Sequence, residues 1–309
     1  MIATLKVFQI IVITFSCIVE IILSSSVIII YIIEWKKNQQ LGVTDKIFIF
    51  MAINNLLLQC CTNMNCLIYL FWFYQMITKQ YFLFFALNLC FIYDNVWHTA
   101  WLSLHYCLKL VNPSHWVFVR MKKWMSSSIV SMLIATSIVM FLINLPYGWT
   151  ARLEILLNKT TTRSYNYDII FDRGIMVYNI IIGCCIPFLV AFICIGLSVW
   201  SLVNHIWRMR RHSAQSRSSP QLQGHVRAIV TMIIQMLLNL LLYLSVIGLF
   251  MTSSNSDEIF VVILWSSIMI CPCAQTLTII LRNPKLKNQM TQSISQCSQR
   301  LFSNIHQSS

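Results

Sequence analysis

Seven stretches of this chain are each long and apolar enough to cross a bilayer as a helix, and that recurrence constrains the fold more than any other feature. A hydrocarbon core about 30 Å thick takes roughly 20 helical residues. The segments run over 7–33, 47–73, 81–108, 126–147, 175–203, 226–250 and 259–281. Of 309 residues, 58% are hydrophobic and 10% charged, whereas a soluble domain carries about a quarter charged residues. A soluble core cannot place so much apolar surface. Seven Gly and six Pro are too few for sheets joined by many turns. The pattern predicts an all-α fold, a seven-transmembrane helix bundle.

The first segment is too long for the apolar region of a signal peptide, and it lacks a basic leader and a small-residue cleavage site, so it is read as a span. Orientation follows from Lys and Arg, which gather on the cytoplasmic side. One set of loops holds sixteen of them: Lys36, Lys37 and Lys46, then Lys109, Arg120, Lys122 and Lys123, then Arg208, Arg210, Arg211, Arg217 and Arg227, then Arg282, Lys285, Lys287 and Arg300. The opposite set holds six. The N-terminus is therefore expected outside and the C-terminus in the cytoplasm. The same asymmetry absorbs the net charge of +13 with no nucleic acid. Residues 1–287 read as one membrane domain and 288–309 as a polar cytoplasmic tail, rich in Ser and Gln, whose composition does not build a core.

Eleven of the twelve Cys lie in apolar spans and Cys297 lies in the tail. Most act as small hydrophobes, and no metal-ligand spacing emerges. The longest outer loop, Gly148 to Gly174, contains Asn158-Lys159-Thr160 and no Cys. It holds a glycosylation sequon on the side expected to face the lumen, and no disulfide can tie it to span three. The inner segment Asn204 to Arg227 is basic, then Ser-rich. Both of its flanks are helical in pattern, so spans five and six are expected to continue into the cytosol.

Polar side chains inside spans are costly and mark packing or function. They are Glu20, Asn54, Asn55, Asn88, Asp94, Asn95, Asn179, Gln235, Asn239 and Gln275. Glu20, Asn54 and Asn55 read as glue between helices, since such bonds contribute about 0.6–2 kcal/mol per pair. Asn88 and Ile92, at i and i+4, share a face in the outer half of span three, and Asn95 continues it. A cavity opening outward is lined by such a face, and so is an ordinary packed core. His98 and His105 are seven apart with no third ligand in sight, and His105 reads as a packing residue. No nucleophile–base pair, carboxylate pair or Gly-rich phosphate loop appears, so neither an enzyme nor a cofactor is expected.

The span-three sequence then carries a resemblance. Trp97, Leu102-Ser103, Tyr106 and Leu108-Lys109 match the span-three pattern of the type 2 (bitter) taste receptors, a family of G-protein-coupled receptors. Ile33-Glu34-Trp35 with Asp45, Ile47 and Ala52 resembles that family's first inner loop. Pro187-Phe188, Ser201-Leu202 and His205 resemble its span five, and Pro220, His225 and Ala228 its junction into span six. Pro272, Asn283 and Lys285-Leu286-Lys287 resemble the end of span seven. The rhodopsin-like signatures are missing: span three lacks an acidic-Arg-Tyr end, and Asn283-Pro284 does not lead to a Tyr. A vomeronasal-type or other seven-helix chemoreceptor is the alternative. A transporter is a weaker one, because no inverted repeat or broken half-helix is visible.

The chain also departs from the family pattern. Ser24-Ser25 stands where the family usually has Asn-Gly, Asn55 where it has Arg, and Gln275-Thr276 where it has His-Ser. Asn88 and Ile92 replace its common ligand-contacting Trp and Asn, so the location of the pocket carries over and its chemistry does not. The resemblance implies a plasma-membrane, multi-pass receptor for small bitter compounds entering from outside. Its expected ligand wall is Asn88, Ile92, Asn179, Leu242 and Trp265. Tyr106, Lys109, His205, Arg208, Arg210 and Arg211 are expected to face a gustducin-like, Gi-type heterotrimeric G protein. Asn158 is the expected glycosylation site. Self-association of the receptor stays open at this point.

Overall fold

The computed structural model describes residues 2–37, 39–71, 79–110, 116–146, 152–157, 165–170, 173–212, 220–251 and 258–292, together with 295 and 299. Its architecture is helical. The elements are α1 (Ile2–Lys36), α2 (Val43–Phe71), α3 (Lys79–Leu110), α4 (Trp116–Asn144), α5 (Arg173–Ile180), α6 (Ile186–His212), α7 (Pro220–Met251) and α8 (Glu258–Arg282). A π-helical segment, Ile181–Cys185, joins α5 to α6. After a break at Asn283 the chain is helical again over 284–292, so the first residues of the polar tail continue an ordered helix.

Local chemistry sets these boundaries. Asp45, in the first turn of α2, accepts a hydrogen bond from the Gly42 amide at 3.1 Å, which satisfies one of the donors that a helix N-terminus leaves free. Pro220 opens α7, where its missing N–H costs nothing. Glu258 begins α8 and Arg282 ends it, each matching the helix dipole. Asn283 then caps the next helix by accepting from the Lys285 amide at 3.0 Å, with Pro284 in the first helical position. The Asn-Pro dipeptide is thus a stop and a restart.

Several helices overrun the apolar segments. α4 starts at Trp116, so Arg120, Lys122 and Lys123 lie on its first turns and not in a loop. α6 extends to His212 and α7 begins at Pro220, as the pattern of that inner segment predicts. The segment between α4 and α5 adds an antiparallel hairpin to the all-α reading: β1 (Arg152–Leu157) pairs with β2 (Tyr165–Ile170), in a register from Arg152↔Ile170 to Leu157↔Tyr165. Strands of six residues are invisible to a search for helix-length apolar runs. Their β-branched and aromatic content is the signal that was available.

Among the described residues, six helices are long and apolar enough to cross a membrane: those containing Val7–Lys36, Val43–Ile68, Val119–Asn144, Gly174–Asn204, Leu222–Leu249 and Glu258–Arg282. α3 is not among them, and its place in the bundle gives the reason. It packs against α2, α4, α6 and α7, and from Asn88 to Ser103 nearly every residue is buried. A helix sheathed by other helices has no lipid face to keep apolar. α1 shows the opposite case, with Phe8, Ile11, Phe15, Ile18 and Ile22 all more than half exposed, an apolar surface that lipid suits.

Two of the core's apolar clusters form layers on either side of the bundle's centre. One joins Val27, Ile47, Met51, Leu102, Ile129 and Ile279 at the ends of the helices near Lys36 and Arg282. The other joins Leu58, Leu89, Ile92, Cys184, Leu242 and Ile268. Between them the same helices carry polar side chains.

Candidate functional site: a polar belt beneath an apolar wall

The belt follows from where each helix interrupts its apolar run. α1 supplies Glu20 and Ser24, α2 Asn55, α3 Asn95 and Thr99, α7 Gln235 and Asn239, and α8 Gln275 and Thr276; each is at most 1% exposed. Spacings of four in α1, α3 and α7 place both members of each pair on one face.

These side chains bond to one another across helices. Asn95 Nδ2 donates to Asn55 Oδ1 and to Gln275 Oε1, at 2.6 Å each. Asn55 Nδ2 donates to Thr276 Oγ1 at 3.0 Å and to Pro272 O at 3.5 Å. Thr276 Oγ1 in turn donates to Glu20 Oε1 at 2.8 Å, and Ser24 Oγ donates to the same carboxyl oxygen. Gln275 Nε2 donates to Asn239 Oδ1 at 2.9 Å, and Asn239 Nδ2 to Thr99 Oγ1 at 2.7 Å. Gln235 Nε2 donates to the Gln275 carbonyl at 2.8 Å. One connected network therefore ties α1, α2, α3, α7 and α8 together at a single depth.

Four of the departures from the taste-receptor pattern, Ser24, Asn55, Gln275 and Thr276, meet here. Asn55 bonds Thr276, and Ser24 lies 3.5 Å from it, Oγ to Oγ1. Gln275 is reached from Asn55 through Asn95 alone. Ser24, Asn55, Gln275 and Thr276 are thus neighbours within one network.

Above the belt, Ile92 and Leu242 lie in one apolar cluster with Tyr93, Cys184 and Ile268. Asn88 is buried beside them on α3 and accepts from Thr62 Oγ1 at 2.9 Å. Asn179 is fully buried and donates within α5, to Ile175 O at 3.0 Å. Trp265 sits in a different cluster, with Ile13, Cys66 and Met269. It faces the junction of α1, α2 and α8, and Leu249, which packs on both clusters, links it to the layer of Ile92 and Leu242.

The α5–α6 side of this wall depends on the π segment. Ile186 N–H bonds Ile181 O, a reach of five residues. In that register Ile182 O points to position 187, where proline has no N–H. Trp97 Nε1 donates to that carbonyl at 3.2 Å. Gly183 is buried against α3, and a Cβ there would lie 2.5 Å from Tyr93 Cγ, a distance that only glycine permits. Trp97, Gly183 and Pro187 thus form one joint.

At the other end of the bundle, Tyr106 is half-buried and packs on two apolar clusters, while Lys109 is exposed on the last turn of α3. His205, Arg208, Arg210 and Arg211 lie on the final turns of α6, but their side chains lie outside the described residues, as does Asn158. Lys285, in the helix after α8, makes an ion pair of 2.6 Å with Glu34 Oε2 and one of 3.5 Å with Asp45 Oδ2, and stands 5.7 Å over the Tyr31 ring. Partial burial alone pushes its ammonium down, but hydrogen bonding to Glu34 and the charges of Glu34 and Asp45 outweigh that and hold it above its usual range. Gln289 Nε2 adds a bond to Glu34 Oε1 at 2.8 Å. This clasp holds the helix over 284–292 against α1 and α2, and sequence reading, which saw only family motifs in these residues, missed the contact.

Sequence reading found the belt's amides one by one. It missed Thr99 as their partner, Thr62 as the partner of Asn88, and Ser137, whose hydroxyl donates to Asp94 Oδ2 at 2.7 Å. The i, i+4 spacing of Thr99 behind Asn95 was the signal available for the first. His98 is buried 3.8 Å from Asp94 and edge-on to Phe50, and His105 packs on the Tyr106 ring.

The family model for taste receptor protein (TAS2R) matches residues 1–298. The chain belongs to the taste receptor family. It is similar to taste receptor type 2 member 125 of Rattus norvegicus, 26% identical over 282 residues that cover 84% of each chain. Taste receptor type 2 member 9 of Homo sapiens is 24% identical over 273 residues, 84% of this chain and 85% of that one. Taste receptor type 2 member 40 of Gallus gallus is 26% identical over 267 residues, covering 82% and 84%. This taste receptor is a multi-pass membrane protein and a G-protein-coupled bitter chemoreceptor, not an enzyme.

Proposed function

We propose that the chain is a seven-helix receptor of the plasma membrane, with α3 as the seventh span, the N-terminus outside and the C-terminus in the cytoplasm. Small bitter molecules enter from outside against the wall of Asn88, Ile92, Asn179 and Leu242, with Trp265 at its α8 edge. A ligand activates only by binding the active arrangement more tightly than the resting one, since equal affinity shifts nothing. The single observation that carries this reading is the belt. It lies directly beneath Ile92 and Leu242 and joins five helices, so a displacement of α3 against α7 or α8 reaches all of them.

The inner surface of Tyr106, Lys109, His205, Arg208, Arg210 and Arg211 receives a gustducin-like, Gi-type G protein. Asn158 carries the glycan, residues 1–287 form the receptor domain, and 288–309 form the tail. The test is calcium imaging of cells that co-express the chain with a promiscuous gustducin-like G protein, challenged with a panel of bitter compounds. A response that needs the G protein and is lost in Asn88→Ala or Trp265→Ala is expected. Silence from receptor labelled at the cell surface counts against the reading.

A further inference from the structure

The first turns of α4 carry cations that no carboxylate of the chain answers. The segments expected on the inner side hold sixteen Lys and Arg but two carboxylates, Glu34 and Asp45. Both of these are engaged by Lys285, at 2.6 and 3.5 Å. Arg120, Lys122 and Lys123 are exposed, and among the described residues none of the three takes part in an ion pair.

Helix geometry collects two of these cations on one stripe. Arg120, Lys123, Trp124, Ser127, Ile134 and Ile138 recur at spacings that keep them within about a third of the helix circumference, and all six are exposed. The opposite face, with Met125, Ile129 and Leu133, is buried in the apolar cluster that α4 shares with α2 and α3. Lys122 lies off the stripe, and its charge acts on the His105 ring of α3. Along the stripe the order is cations, then an indole, then branched aliphatic side chains. A phospholipid presents phosphate, glycerol backbone and acyl chain in that same order, and Trp favours the level between headgroup and hydrocarbon. Cytoplasmic topology asks for basic residues near the end of a span. It asks neither that they share the lipid-facing stripe nor that a Trp stand one residue further in.

We propose that this stripe of α4 docks a phospholipid of the inner leaflet whose headgroup carries more than one phosphate, a phosphoinositide. The Arg120 guanidinium offers a planar fork that a phosphate oxygen pair fits, and the Lys123 ammonium offers a second, compact charge on the same face. A serine headgroup carries its own ammonium, which these two cations repel, whereas an inositol phosphate headgroup carries none. Trp124 covers the glycerol level, and Ile134 and Ile138 line the acyl chain. The surface is remote from the ligand wall and from the residues assigned to the G protein. It rests on the inside-facing orientation proposed above, which a separate readout tests.

The experiment counts lipids bound to the purified full-length receptor by native mass spectrometry in detergent, with phosphatidylcholine, phosphatidylserine or phosphatidylinositol bisphosphate added at equal concentration. The bisphosphate adduct should exceed the other two, and the double variant Arg120→Gln/Lys123→Gln should reduce it about tenfold. Lys36→Gln/Lys37→Gln removes the same charge from the inner end of α1 and should change it by less than about twofold. If the α4 double variant does not fold, Arg120→Gln and Lys123→Gln singly carry the test, each with a loss of about threefold. Equal losses in the two double variants would reduce the effect to bulk charge, and equal binding of phosphatidylserine would remove the preference for a polyphosphate; either overturns the proposal. So does soluble inositol trisphosphate that displaces the lipid at equal concentration, since the acyl chain would then contribute nothing. Binding in detergent does not depend on orientation. A C-terminal epitope labelled on unpermeabilised cells would refute the orientation, and the inner leaflet as the source with it, while leaving the adduct counts unchanged.

Discussion

Asn95 on α3 reaches Gln275 on α8 with a hydrogen bond of 2.6 Å and uses the same nitrogen to reach Asn55 on α2 at the same distance. Three helices therefore meet at one amide in the middle of the bundle. Replacing Asn95 with Leu leaves two buried carbonyl oxygens without their donor, and a buried polar group left unpaired costs about 1–3 kcal/mol. Thermal unfolding of the purified receptor should register a loss of that size.

Asn55 and Thr276 should be coupled. Each stands where the taste-receptor pattern has another residue, and they bond at 3.0 Å. A double-mutant cycle with Asn55→Ala and Thr276→Ala should return a coupling energy of about 0.6 kcal/mol, and up to about 1.7. Strict additivity would mean that the hydrogen bond between them contributes nothing to stability.

Gly183→Ala should destabilise the α3–α6 contact. Its new methyl would lie 2.5 Å from Tyr93 Cγ, and overpacking of a close contact costs about 1–3 kcal/mol. Combining it with Tyr93→Leu should recover part of that loss, which unfolding measurements on both variants will show.

Lys285→Met should release the helix over 284–292. It leaves Glu34, 2% exposed, without its cation, and proteolysis or hydrogen exchange of that helix should increase. The wild-type clasp should not respond to pH in the physiological range. A lysine whose folded value is raised contributes its full stabilisation below its unfolded value of 10.5 and loses it only as pH climbs through the folded one.

Charge reversal at Lys109 and Arg208 should abolish signalling while surface labelling stays at the wild-type level. Loss of surface protein instead would mean that these residues set only topology.

What the sequence could show depended on whether a residue's role was local. Six span positions were legible because length and apolarity are properties of one segment, whereas α3, sheathed by other helices, falls short of that apolarity. Asn283-Pro284 and Asp45 likewise mark helix ends through contacts with close neighbours. The belt was half legible. Gln275 announces itself as polar in an apolar run, but that it faces Asn95 and not lipid depends on how α8 is rotated, which no single span encodes. Trp265 shows the same limit: its depth was readable, and its turn toward Ile13 and Cys66 was not. The clasp was hidden because Glu34 and Lys285 lie 251 positions apart and meet only once the bundle closes.

The central claim is that the belt carries a signal from the outer wall to the inner surface. The most direct measurement compares the agonist-evoked calcium response of Asn95→Leu with that of wild type at matched surface density, in cells supplying the G protein. The response should fall by at least tenfold in potency or disappear, although no ligand-wall residue has changed. An Asn95→Leu receptor that answers the same compound with wild-type potency and amplitude would contradict the account and leave the belt as packing alone.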